Sequence, residues 1–124
     1  MDNEIYFNKA IMGIGKKEDN PGFDIPDIPR CPEGIRVLSM KQDKEGLGPL
    51  KHVTYKTLKP VPALKDFYLS IMPEKGWKYK TIINKGDSVI LVYIKKRMRC
   101  QIMIMYNPQI GKNVVLIGIF KQLV

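Results

Sequence analysis

The apolar and polar positions of the chain centre on one helical stripe between Tyr55 and Trp77. Leu64, Phe67, Tyr68, Ile71 and Met72 recur at spacings of three and four, which aligns them on one face of a helix of about three turns. Pro60 and Pro62 fit only before or inside its first turn, where a missing amide hydrogen costs nothing, and Pro73 and Gly76 close the pattern. Elsewhere the period is two. Ile35 to Lys41 predicts a first strand, and Gln42 to Leu50, with Gly46, Gly48 and Pro49, the turn after it. Lys51 to Leu58 predicts a second, with Val53, Tyr55 and Thr57 opposite His52, Thr54 and Lys56. Past the helix, Trp77 to Ile83 sets Trp77, Tyr79 and Thr81 opposite Lys78 and Lys80. A turn at Gly86 leads into Ser88–Ile94, the basic corner Lys95, Lys96 and Arg97 into Met98–Tyr106, and a turn over 107–112 into Asn113–Leu123.

The predicted order is β-β-α-β-β-β-β, and strands joined by short turns pair antiparallel. The expected fold is α+β, a single helix packed on a mainly antiparallel sheet. In the late strands the alternation fails: Val89, Leu91 and Tyr93 oppose Ile90, Val92 and Ile94, while Val115, Ile117 and Ile119 oppose Val114, Leu116 and Phe120. Both faces are apolar there. One short helix covers part of one face, so the other needs an N-terminal arm, a curled sheet or a second copy over it.

Ahead of the strands, Ile5, Tyr6, Phe7, Ile11, Met12 and Ile14 have the loose spacing of a short helix or docking arm. Residues 16–32 are rich in Asp, Gly and Pro and read as an extended linker wrapping the surface. The expected organisation is an arm and Pro-rich linker over 1–34 and a single α+β domain over 35–124. With 124 residues, 44% of them apolar, the chain has the size of one domain with one core.

Charge changes the picture more than composition does. Residues 1–34 hold 4 basic and 7 acidic side chains, and residues 35–124 hold 17 and 5, so a basic body follows an acidic leader. A basic body suits nucleic acid, phospholipid headgroups or acidic proteins, and it also keeps a protein soluble. Cys31 and Cys100 lack neighbouring Cys or His at metal-ligand spacing. They are candidates for a disulfide if the chain is exported, and for a loop thiol and a core thiol if it is cytosolic. No apolar run reaches the roughly 20 residues of a transmembrane span. The opening Met1-Asp2-Asn3-Glu4 lacks a positive leader region, so as written the chain reads as soluble, and as extracytoplasmic if a leader has been removed.

Asp27, Pro29, Pro32 and Gly34, then Tyr55 and Thr57, Phe67 and Tyr68, and Gly76 and Trp77 form a pattern over roughly residues 27 to 105. It resembles small uncharacterised domains of bacterial and archaeal envelope proteins and lipoproteins. In those, a Pro-x-Tyr-Pro-Gly-like entry precedes a strand, and a Phe-Tyr helix ends in Gly-Trp. Here Cys31 replaces the usual Tyr and Glu33 separates Pro32 from Gly34. The resemblance implies a non-catalytic domain, often extracytoplasmic, and supplies no catalytic residues.

Catalytic patterns are missing from the residues themselves. His52 has no carboxylate within two positions, and Ser39, Ser70 and Ser88 lack a nucleophile-elbow context. Gly13 and Gly15 make only Gly-x-Gly, and Asp19, Asp24 and Asp27 lack calcium-loop spacing. The expectation is a non-catalytic binding or assembly module with no cofactor, whose partner is another protein or a second copy. The alternative is a nucleic-acid-binding domain in which Lys56, Lys78, Lys80, Arg97 and Arg99 line the sheet face away from the helix, near Met103 and Met105. Against that stand Trp77, Tyr79 and Tyr106, which fall on the inward phase rather than among the charges.

Overall fold

The computed structural model describes residues 18–42 and 48–121. Strands β1 (Ile35–Lys41), β2 (Lys51–Thr57), β3 (Lys78–Lys85), β4 (Ser88–Lys95), β5 (Met98–Asn107) and β6 (Lys112–Lys121) form one sheet, and helix α1 (Val61–Glu74) joins β2 to β3. The order across the sheet is β1-β2-β6-β5-β4-β3, with every neighbouring pair antiparallel. The α+β class and the element order are those the periodicity predicts. The pairing of β6 with β2 is new information: it welds the β1–β2 hairpin to the β3–β6 meander, while α1 carries the chain to the far edge. The arm expected over residues 1–15 lies outside the described residues.

Leu64, Tyr68 and Met72, spaced by four, are fully buried against the sheet, and Phe67 and Ile71 pack beside them. Pro60 occupies the N-cap position and Pro62 the first turn. Pro73 stands inside the last turn rather than beyond it. A C-terminal cap follows it directly. The Gly76 amide donates to Pro73 O at 3.0 Å and the Trp77 amide to Met72 O at 3.1 Å, the paired bonds of a Schellman motif, with Gly76 at φ 88°. Trp77 and Met72 then join the same core.

The linker departs from expectation. Ile25, Ile28 and Cys31 are buried in the main core beside Val53, Tyr55, Leu91, Tyr93, Ile102 and Ile117. Two turns of one design aim them inward. Ile25-Pro26-Asp27-Ile28 and Cys31-Pro32-Glu33-Gly34 each close by a bond from the fourth amide to the first carbonyl, at 3.3 and 3.0 Å. Asp27 and Glu33 take φ of 67° and 57° at the third position, the type II arrangement with proline second. Charge and polar bonds then hold the linker down: Arg30 and Arg36 both reach Asp19 and Asp24, Arg30 lies 5.0 Å over the Tyr55 ring, and Thr57 Oγ1 donates to Pro32 O at 2.8 Å.

Strand β3 also differs in register. The pairing shifts between Tyr79 and Thr81, so Tyr79 pairs with Tyr93 on the helix side and Thr81 with Val92 on the other. A β-bulge, not simple alternation, separates these two residues.

Candidate binding face

The sheet face opposite α1 follows directly from the ladders. One row crosses all six strands: Leu38, Thr54, Leu116, Met103, Ile90 and Ile83. At about 4.8 Å per strand the row is roughly 24 Å wide. It is apolar except for Thr54. Among the described residues no helix or strand packs over this face, because α1 contacts β3, β4 and β5 from the other side.

Exposure along the row is uneven. Val37, Thr54, Lys56 and Val114, on the β1–β2–β6 half, are buried, whereas Ile83 on β3 is 40% exposed and Ile90, Ile94 and Met103 are half-buried. Leu38 and Leu116 are half-buried as well, and Val92 on the same face of β4 is buried, so the most accessible point of the row is Ile83 at the β3 edge. Sheet edges are better guarded than this face. On β3, Lys78, Lys80 and Lys85 are exposed and the bulge twists the edge, both of which obstruct strand addition. On β1, the Asn20 amide donates to Arg36 O at 2.9 Å and Asn20 Nδ2 to Val37 O at 2.8 Å, so the linker occupies that edge.

The predicted basic residues separate into two groups. Lys78, Ile94, Arg99 and Phe120 form one row at one end of the face. Lys80 lies at the adjacent bulge and Arg97 in the tight β4–β5 turn, where Lys96 takes φ 55°. Lys56 stands apart. It is buried and pairs with Val114, in the row of Met105, six residues along β5 from Arg99 and so about 20 Å away. Arg99 stacks over the Phe120 ring at 4.8 Å, and its Nε is buried with no hydrogen-bond partner. That stacking occupies the one aromatic ring in this basic row. Tyr79 and Tyr106 lie on the helix side, 52% and 49% exposed at its margins, and Trp77 is buried.

Other candidates resolve into scaffold. His52 Nε2 lies 2.7 Å from Thr54 Oγ1, and burial lowers the imidazole pKa, favouring the neutral ring. Cys31 and Cys100 are buried free thiols in this structure, each pushed up to about 12 chiefly by burial. Asp27, Asp24 and Asp19 serve a turn and ion pairs, and among the described residues no group of three acidic, His or Cys side chains could hold a metal. No described helix is long and apolar enough to cross a membrane. Comparison with protein families, curated proteins and solved structures finds no match for this chain.

Proposed function

We propose that the protein is a non-catalytic binding module that docks protein through the sheet face opposite α1, in the first instance a second copy of itself. What supports this is the row Leu116, Met103, Ile90 and Ile83, which ends in exposed isoleucine with no described helix or strand above it. Burying such a row removes apolar surface from water at about 25 cal/mol per Å², and the guarded edges direct association to the face rather than the strand ends. The flanking basic corner of Lys78, Lys80, Arg97 and Arg99 sets orientation and favours an acidic complement. Light scattering tests this. A mass near twice 14.3 kDa supports the reading, and a mass of 14.3 kDa across all concentrations rules out self-docking.

A second reading rests on that same basic corner, which gives four cationic side chains to a polyanion such as nucleic acid. It lacks free stacking rings, so binding would go through phosphates and weaken steeply with salt. Undetectable affinity for DNA and RNA at low salt removes it.

A further inference from the structure

Lys56 is buried where a bare sheet would leave it in water. On β2 it faces away from α1, in the row of Val114 and Met105, yet it is 2% exposed. Side chains stand roughly perpendicular to a sheet, and lysine is longer than the valine beside it, so on an open face its ammonium would rise above Val114 into solvent. Val37 and Val114 are each 3% exposed and Thr54 6%. Neighbours on the same face close the sides of such residues, not the top. Among the described residues no element supplies the top. Helix α1 and the buried linker residues lie in the core on the other side, and Leu38, Met105, Ile110 and Leu116, which pack against Val37 and Val114, are themselves only half-buried.

The points at which the chain leaves the described residues identify the cover. Segments 43–47 and 122–124 are flanked by residues at the far end of the sheet, where Lys41 pairs with Lys51 and Lys121 with Met98. Lys51 is five residues along β2 from Lys56, about 17 Å away. Residues 1–17 end instead beside the buried cluster: Asn20 donates to Arg36 O at 2.9 Å and, through Nδ2, to Val37 O at 2.8 Å, and Ile35 on the same strand pairs with Lys56. As a helix those residues reach about 25 Å, and further when extended, whereas β1, β2 and β6 together are about 10 Å across. Their composition also fits. Ile5, Tyr6, Phe7, Ile11, Met12 and Ile14 suit the two valines, and Asp2 and Glu4 offer the oxygens that a buried ammonium requires.

We propose that residues 1–17 fold over the β1–β2–β6 half of this face and seal Val37, Lys56 and Val114 beneath their apolar side chains. The rest of the face, toward Ile83, is left to the docking proposed above. The seal does not depend on self-association, so either can fail without the other.

Lysine acetylation of the native full chain, read site by site by mass spectrometry, tests this. Lys56 should react at least about tenfold more slowly than the exposed Lys78 and Lys80, because reaction there waits on local opening. That protection should be equal at low and high protein concentration. In the double variant Ile11→Asp and Ile14→Asp, Lys56 should react within about threefold of Lys78, while Cys31 and Cys100 stay closed to a thiol reagent, the sign of an intact core. Should the aspartates unfold the chain, Ile11→Ala with Ile14→Ala is the milder pair, and a partial rise is expected. Wild-type Lys56 labelled as fast as Lys78, protection that folded variants leave unchanged, or protection that appears only at high concentration overturns the proposal; the last result assigns this half of the face to a second copy. A chain that stays monomeric with Lys56 protected defeats the self-docking reading and supports this one.

Discussion

The Tyr68 hydroxyl donates a 3.0 Å hydrogen bond to the carbonyl oxygen of Pro29, joining α1 to the linker across 39 positions of sequence. The same residue's backbone carbonyl accepts from Tyr93 Oη at 3.3 Å, so Tyr68 connects linker, helix and sheet. Replacing Tyr68 with Phe keeps the ring and leaves the Pro29 carbonyl without that donor. The variant should lose about 1–2 kcal/mol of unfolding free energy, read from urea denaturation with an unchanged slope. Wild-type stability would mean the linker is not held through this bond.

Acid should loosen the linker first. Asp19 is held below the ordinary carboxylate value chiefly by its hydrogen bond from Arg30. Asp24 is also lowered: burial opposes this, but Tyr55, Arg36 and Arg30 outweigh it. A carboxylate with a depressed folded pKa contributes stability that is present above its unfolded value of 3.8 and lost as pH falls through the folded value. Arg30→Gln should therefore flatten the fall in stability below about pH 4. Chemical denaturation at a series of pH values in both proteins checks this; parallel curves would contradict it.

The helix stop is a separate test. Gly76 holds φ 88°, and a Cβ there would also approach Lys95 Cε at 3.3 Å. Gly76→Ala should cost about 1–2 kcal/mol in the same denaturation assay, because a left-handed conformation is strained for any L side chain.

Burial sets the thiol chemistry. With both cysteines pushed up to about 12 by desolvation, neither Cys31 nor Cys100 should react with a thiol reagent at neutral pH until the protein unfolds. Their folded values lie above the unfolded 9.0, so this contribution to stability is complete below pH 9 and fades as pH rises toward 12. Rapid labelling of native protein by an aromatic disulfide reagent would show the core to be open at these positions.

Most of the fold was legible because its elements obey simple periods. Leu64, Tyr68 and Met72 mark the helix by spacing alone, and Val89 to Ile94 mark a strand apolar on both sides. What escaped depends on conformations that side-chain alternation does not encode. The bulge between Tyr79 and Thr81 moves Thr81 to the other face, and the two Pro-acidic turns send Ile25, Ile28 and Cys31 into a core that the prolines seemed to exclude. The repeated apolar-Pro-acidic triplets at 25–27 and 31–33 were the available sign. For the binding face, the two-sided strands announced an apolar surface, but which residues align across it depends on register. Pairing of β6 with β2 puts Lys56 far from Arg99 and completes the row from Leu38 to Ile83.

Self-association through that row is the central claim, and light scattering on wild type beside Met103→Glu tests it most directly. Wild type should run as a dimer, and the variant as a folded monomer whose dimer affinity has dropped about tenfold or more, the effect of a charge at an interface centre. A monomeric wild type, or a Met103→Glu protein that dimerises unchanged, would contradict it.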